Sequence, residues 1–346
     1  MLRRPLGRTG LDVPLICLGT MTYGEQNSEA EGHAQMDYAL DRGIDFFDTA
    51  ELYPIPPRPE TTGATERIIG TWMKARGNRD QITLATKVVG RSPMNWFRAD
   101  GSATRVNKIN IDEAIQGSLH RLQTDYVDLY QIHWPDRHIN VFGGWSYKDY
   151  KQDYTLFEDI LEALDVWVKR GAIRHIGVSN ESPWGVMRFV EEAQRNGLPR
   201  IASIQNAYNL VNRVFEFGLA EVAMRENVGL LAYSPLGQGY LTGKYLGGAR
   251  PAGARSTLFQ RGQRYEGPGA EGAIKAYVDL AGDHGLTPSQ LALKFCATRT
   301  FMTSVIIGAT TMEQLAHDID AFEVNWSDEI EQSINIIHST TPNPCP

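Results

Sequence analysis

Short apolar runs recur along the chain, each followed by a polar turn and then by a stretch whose apolar residues have helical spacing. The runs are LICLG (15–19), IDFFDT (44–49), ITLATKV (82–88), YVDLYQIH (126–133), IRHIGVS (173–179), IASIQNA (201–207), VGLLAYS (228–234) and TSVIIGA (303–309), eight in all. Runs this short and this continuously apolar suit parallel strands buried on both faces. The amphipathic stretches between them read as helices. AEGHAQMDYALDRG (30–43) and ATERIIGTWMKARG (64–77) each stop at a glycine. NIDEAIQGSLHRLQ (110–123) opens with Asn110 as cap and Glu113 in the first turn, and FEDILEALDVWVKRG (157–171) follows it. SPWGVMRFVEEAQRNG (182–197) opens with Ser182 as cap and Pro183 at the first helical position. Eight strands alternating with helices predict an α/β fold, a single (β/α)8 TIM barrel. The runner-up, an open doubly wound sheet, lacks a GxGxxG turn after its first strand.

Ahead of the first run, RRPLG (3–7) and LDVPL (11–15) are joined through Arg8, Thr9 and Gly10. They read as an N-terminal β-hairpin (1–14) closing the bottom of the barrel. Three connections are long, at 89–109, 134–155 and 235–270, and residues 339–346 form a short tail. Long βα-loops on a barrel build the active site, because they lie at the face where the strands end. The whole of 1–346 is expected to be one domain, a length that a single barrel accommodates.

Composition narrows the function classes. Thirty-four Lys+Arg against 41 Asp+Glu give a net charge of −7, against a basic nucleic-acid binder. Cys17, Cys296 and Cys345 are far apart and odd in number, which argues against a disulfide framework or a CxxC site and suits a reducing compartment. The opening MLRRPLGRTGLDVP has no apolar run of signal-peptide length, and no stretch approaches a transmembrane helix. A cytoplasmic protein without a membrane partner is expected. Nothing in the sequence specifies an oligomeric state. The eight histidines never fall two apart, so the HxH pair of a metal-dependent barrel hydrolase is missing and no metal site is expected.

Polar groups close several of the apolar runs. Asp48 ends the second, with Tyr53 five residues on; Lys87 ends the third and His133 the fourth. On a barrel all four reach the same mouth, where an unpaired charge is costly to bury. Together they suggest proton transfer to a carbonyl oxygen. A tyrosine hydroxyl has an ordinary pKa of about 10 and needs a perturbing neighbour to act at neutral pH. A nearby Lys⁺ is expected to lower it, with a carboxylate holding the lysine in place and a histidine polarising the carbonyl or relaying the proton.

FFDTAELY, LATKV, DYVDLYQIHWP, IGVSN, IQNAYN, AYSPLGQGYLTGKY and IIGATTMEQL, in this order and along nearly the whole chain, resemble the aldo-keto reductase superfamily. LGTMTYGEQNSEAEGHAQMDYA and YPIPPRPETTGATE are similar to its bacterial Tas type, related to the potassium-channel β-subunit group. The resemblance implies a (β/α)8 barrel, NAD(P)H-dependent reduction of an aldehyde or ketone, and a catalytic tetrad of Asp48, Tyr53, Lys87 and His133, with Tyr53 as general acid. It also implies that Ser179, Asn180 and Gln205 hold the nicotinamide carboxamide and that Tyr233 stacks on the ring. It places Ser234, Leu236 and Gln238 over the pyrophosphate and Thr20 and Met21 beside the reacting ring. The 235–270 connection then covers the cofactor.

The segment from Gly237 to Tyr265 holds Lys244, Arg250, Arg255, Arg261 and Arg264 and no acidic residue, a local charge of +5. Such a loop suits a 2′-phosphate. In related enzymes the lysine of LTGKY and a following arginine meet that phosphate, which points to Lys244 and Arg255 and to NADPH rather than NADH. At the adenine end the family pattern QLxEN is replaced. Gln314 is present, but His317 and Asp318 follow, with a different charge and donor pattern. Tyr23, Trp96, Phe97, Trp134, Trp145 and Tyr147 crowd the loops, and Tyr23, Trp96 and Trp134 are expected to wall a substrate pocket for a carbonyl compound with an apolar body. The stiff run from Pro54 to Pro59 is expected to form a rim that holds Tyr53. The alternative function is a slow-turnover, nucleotide-bound sensor or accessory subunit of the channel-β type.

Overall fold

A computed structural model of the chain describes residues 1–140, 142–144, 146–148 and 151–346, with Gln263 described by its backbone alone. Two short strands come first, β1 (Arg3–Pro5) and β2 (Asp12–Pro14), paired antiparallel with Arg4 opposite Val13. The barrel strands are β3 (Ile16–Gly19), β4 (Phe46–Asp48), β5 (Thr83–Val88), β6 (Val127–Ile132), β7 (Ile173–Ser179), β8 (Ile201–Ala207), β9 (Gly229–Tyr233) and β10 (Met302–Ile307). They pair in chain order, and β10 closes on β3. Every pairing within the barrel is parallel. Each expected apolar run contains the core of its strand. The fold is the (β/α)8 TIM barrel with an N-terminal hairpin.

The helices follow the pattern with small shifts at their ends. Helix Glu29–Asp41 is opened by a capping box, Ser28 with Glu31, and the chain turns at Gly43 with φ +76°. Ser182 caps Pro183–Asn196 as expected, its side chain accepting from the Gly185 amide. The helix expected to start at Asn110 begins earlier, at Lys108. Its cap is Asn107, whose side chain accepts from the Asn110 amide. Asn110 is buried in the first turn, where its side-chain oxygen accepts from Arg98 at 2.8 Å. A buried guanidinium needing an acceptor thus takes Asn110 away from the capping role.

The barrel interior is lined by Cys17, Phe46, Ala85, Leu129, Ala202, Leu231 and Ile306, and the hairpin sends Leu6 and Val13 into the same cluster. The hairpin turn is pressed against the barrel floor. A Cβ on Gly7, which has φ +57°, would lie 2.3 Å from the Ala202 carbonyl oxygen, so only glycine fits there. The Arg4 guanidinium ties the hairpin down by donating to the carbonyls of Ala297, Arg299 and Met302 at 2.6–2.9 Å. One end of the barrel is therefore sealed, and chemistry is confined to the other.

At that other end the connection after β5 folds a small apolar cluster over the strand ends, with Met94 and Phe97 packed beside Tyr53 and Trp134. The C-terminal tail crosses the same face. The Arg213 amide donates to Asn343 Oδ1 (2.6 Å), the Cys345 amide to the Val211 carbonyl (3.1 Å) and Arg264 Nε to the Pro346 main-chain oxygen (2.8 Å). All three cysteines are buried and free. Among the described residues no helix is long and apolar enough to cross a membrane.

Candidate active site

The four strand-end groups converge. Asp48, the last residue of β4, accepts on Oδ2 from Lys87 Nζ at 2.6 Å. Its Oδ1 accepts from Gln131 Nε2 (3.1 Å) and Gln205 Nε2 (2.9 Å). Lys87 has no solvent exposure and also donates to the Thr49 carbonyl at 2.7 Å. Burial acts to lower the lysine's pKa, but the Asp48 carboxylate and the Tyr53 phenol outweigh it, and the ammonium is held above its ordinary value.

Half-buried Tyr53 lies above this pair, its ring centroid 4.9 Å from Lys87 Nζ. The net shift of its phenol is upward, opposite to the lowering expected from the lysine. Burial is the larger effect, and Lys87 offsets only part of it. Tyr53 is thus a protonated donor at neutral pH. His133 meets it edge-on, with ring centroids 5.6 Å apart and planes at 86°. Burial first, and the nearby Lys87 charge second, push the imidazole well below its ordinary range, so it is neutral. Its Nδ1 is buried without a partner, a polar atom left for something that enters the site.

The expected nicotinamide-binding residues form a second buried network beside the first. Tyr233, ending β9, donates its hydroxyl proton to Asn180 Oδ1 at 2.7 Å. Asn180 has φ +52°, and its amide group donates to the His133 carbonyl (2.9 Å) and Ser179 Oγ (3.1 Å). Ser179 Oγ donates to the Gln205 carbonyl at 2.7 Å, which joins this network to the Asp48 side. Thr20 lies at the same mouth with its hydroxyl on the Asp48 carbonyl at 2.9 Å, and the Met21 carbonyl accepts from the Ile55 amide at 3.1 Å. Beyond Tyr233 the backbone turns through left-handed conformations at Ser234, Gly237, Gln238 and Gly239. Leu236 packs against the main core and anchors that turn.

Lys244 is exposed, its Nζ 5.3 Å from the Tyr245 ring centroid, and it faces Asp318. Asp318 is buried, and burial raises its carboxyl to about 7 against the opposing charge of Lys244. Arg255 has a terminal nitrogen 3.8 Å from Met21 Sδ, with Tyr53, Tyr245 and Arg261 among the groups around it, and its Nε is buried without a partner. Lys244 and Arg255 thus both have Tyr245 as a neighbour. Arg250 pairs with Glu266 at 2.8 Å. At the adenine end Gln314 accepts from the Thr310 amide and hydroxyl at 3.1 Å, and His317 turns away to Thr287 at 3.0 Å.

The expected substrate wall is corrected at one position. Tyr23 is fully buried in the core outside the barrel, its hydroxyl on Gln35 at 3.1 Å, and it does not line the mouth. The close packing of Gly32, where a Cβ would lie 3.1 Å from that ring, draws it inward. Trp134 lies 4.9 Å from His133 and donates to the Arg91 carbonyl at 2.8 Å. Trp96 stacks on Phe97 at 5.5 Å and bonds Thr62 at 3.1 Å. Tyr147 is exposed, and Trp145 lies outside the described residues.

Four residues that shape the site escaped the sequence reading. Gln131 lies between Asp48 and Gln205. Its signal was parity, since it follows barrel-lining Leu129 by two residues, as Lys87 follows Ala85 and Asp48 follows Phe46. Glu51 and Arg98 form a buried ion pair at 3.0 Å, and Glu51 also accepts from the Val89 amide at 2.7 Å, so the Tyr53 turn is pinned to the next loop. Gly90 admits Trp134, because a Cβ there would lie 2.1 Å from the Trp134 carbonyl oxygen and 2.3 Å from its ring.

A closed parallel barrel with a buried Asp–Lys pair, a tyrosine and a neutral histidine at its C-terminal mouth defines a barrel oxidoreductase class. Comparison with known proteins specifies the family. The family model described as Aldo/keto reductase family matches residues 15–338. The chain is 50% identical over 342 residues to Protein tas of Escherichia coli (strain K12), covering 98% of each chain. It is 34% identical over 337 residues to the uncharacterized oxidoreductase YrpG of Bacillus subtilis (strain 168), covering 96% of this chain and 94% of the relative. An aldo-keto reductase of Babesia bovis is 37% identical over 275 residues, 75% of this chain and 96% of the relative. The chain belongs to the aldo/keto reductase family, and it is accordingly an oxidoreductase of carbonyl compounds.

Proposed function

We propose that the protein is a cytoplasmic, NADPH-dependent reductase that converts an aldehyde or ketone to an alcohol. The observation that carries this reading is the stack of a protonated Tyr53 over a fully buried Lys87–Asp48 pair, with a neutral His133 at its edge. The residues present fit a dinucleotide. Ser179, Asn180 and Gln205 offer a polar edge beside the Tyr233 ring, the left-handed turn at 234–239 exposes backbone to a pyrophosphate, and the buried Nε of Arg255 lacks a partner. When bound, the reduced nicotinamide supplies a hydride to the carbonyl carbon.

Tyr53 gives its phenolic proton to the carbonyl oxygen, so hydride plus proton complete the alcohol. The Lys87 ammonium stabilises the phenolate left behind, and Asp48, fixed by Gln131 and Gln205, keeps Lys87 charged and in place. Neutral His133 binds and orients the carbonyl oxygen without competing for the proton. Trp134 and Phe97 keep water from the reacting atoms.

The test is titration of the purified chain with NADPH and NADH by nicotinamide fluorescence, then turnover on a panel of aldehydes and ketones. Tighter NADPH binding is expected. Tyr53→Phe is expected to lose about 10²–10⁴-fold in turnover while NADPH affinity stays within about twofold. Tight nucleotide binding with no turnover on any carbonyl compound would replace this reading with a nucleotide sensor. Full turnover in the Tyr53→Phe variant would remove Tyr53 as the acid.

A further inference from the structure

Beside the catalytic mouth lies a cavity of about 460 Å³, within the range of small-molecule sites. Three parts of the chain that are remote in sequence form it. The connection after β6 supplies Phe142 and Gly143, the basic loop supplies Gln238, Arg261 and Arg264, and the tail supplies Pro346. The cavity adjoins the reacting groups. Phe142 meets Trp134 edge-on at 6.3 Å, and Trp134 in turn lies against His133. On the opposite wall the charge of Arg264 reaches the Tyr233 phenol.

Among the described residues the lining is positively charged and contains no carboxylate side chain. The acid nearest in sequence, Glu266, is taken up by Arg250 at 2.8 Å and by the Tyr240 hydroxyl. Among the described residues no carboxylate pairs with Arg261, Arg264 or Arg255. Arg264 is held in place from two sides. Its Nε donates to the Pro346 main-chain oxygen at 2.8 Å, and its Cγ packs against Gly143, where a Cβ would lie 3.3 Å away. Its guanidinium is also hydrogen-bonded to the Tyr233 phenol, so it stands fixed at the cavity wall. Two guanidinium groups with no carboxylate side chain beside them among the described residues, at one end of a partly enclosed cavity, match an anionic ligand group, which such groups bind in fork geometry.

We propose that this cavity receives the distal end of the substrate, and that the substrate is a carbonyl compound bearing a carboxylate or phosphate, held by Arg261 and Arg264 while its apolar body lies along Trp134 and Phe142. The inference rests on the carbonyl-reductase reading above and specifies its substrate class. Lys244, Arg255 and Gln238 serve the cofactor in that reading; Arg261 is assigned to substrate.

The test compares three para-substituted benzaldehydes, 4-carboxybenzaldehyde, 4-formylphenyl phosphate and methyl 4-formylbenzoate, as substrates of the full chain with NADPH. At least one anionic aldehyde is expected to exceed the neutral ester about tenfold or more in kcat/KM, mainly through KM. In Arg261→Gln that ratio is expected to fall to about threefold or less, and the wild-type preference is expected to decline with added salt. The better anion, carboxylate or phosphate, identifies the group. A wild-type ratio near one, or an Arg261→Gln variant that weakens NADPH binding as much as it weakens the anionic aldehyde, would overturn the proposal. Calorimetry with 4-(hydroxymethyl)benzoate, 4-(hydroxymethyl)phenyl phosphate and methyl 4-(hydroxymethyl)benzoate separates the two readings. Charge-selective binding lost in Arg261→Gln, with no turnover of any aldehyde, would sink the reductase reading alone. Equal binding of all three would sink the anionic-substrate proposal whatever the turnover.

Discussion

Lys87 has no exposure to water, and its charge is balanced by one carboxylate at 2.6 Å. Lys87→Met leaves Asp48 buried with only the two glutamine amides. The expected cost is about 3–5 kcal/mol, read as a lower urea midpoint, together with loss of carbonyl turnover. A variant as stable as the wild type would show that water reaches Asp48 once Lys87 is gone. His133 gives a prediction of opposite chemical sense. It is neutral in the folded protein because burial and Lys87 depress its pKa below the ordinary value. The unfolded chain therefore binds one proton more as pH falls below about 6.5, and folding loses stability in that direction. The loss attributable to this group reaches up to about 2 kcal/mol by about pH 5, and His133→Gln is expected to flatten that part of the acid limb. Because Tyr53 is shifted upward and His133 downward, kcat/KM for reduction is expected to be level from about pH 6.5 to about pH 9. An inflection near pH 6.5 in that profile, absent from His133→Gln, would show that the histidine does titrate in the working enzyme.

Between elements, the strands were legible and several of the contacts that shape the site were not. Period and burial gave all eight barrel strands, because a strand buried on both faces leaves little room for polar residues. The ionisable residues closing β4 and β5, and the one just after β6, stood out for the same reason. Gln131 did not stand out, being neutral, and only the alternation of Leu129 and Gln131 along β6 marks it as inward-facing. The direction of the Tyr53 shift was also beyond reach, since the sequence shows a lysine nearby but not how deeply the phenol is buried. Tyr23 was misplaced for a related reason: an aromatic residue in a loop looks the same whether it points to the mouth or into the core. Gly90 is the sharpest case of a contact unreadable in one dimension, because it meets Trp134 across 44 residues, as close to backbone as to ring. Gly90→Ala is expected to displace Trp134 from His133, costing about 1–3 kcal/mol of stability and lowering kcat/KM. Unchanged stability and unchanged turnover together would mean that the two loops part easily and that Trp134 does not wall the reacting groups.

Across the whole molecule the barrel divides its tasks between its two ends. The N-terminal end is shut by a hairpin whose Leu6 and Val13 complete the interior cluster, and whose Arg4 is bonded to three carbonyls. The C-terminal end carries the titratable groups, the long loops and the tail. Interior layers link the two: Phe46, Ala85 and Leu129 lie one step below Asp48, Lys87 and Gln131 on the same strands. If those layers only support the mouth, a cavity cut into the floor should lower stability without altering the chemistry. Leu6→Ala removes a fully buried side chain far from Tyr53 in the fold, and the expected cost is about 2–5 kcal/mol. Below the shifted unfolding transition, kcat, KM and NADPH affinity are expected to match the wild type within about twofold. A fall in kcat at full folding, with KM unchanged, would instead mean that the floor transmits its packing up the strands to the Lys87–Asp48 pair, and that the hairpin is part of what holds the catalytic groups in register.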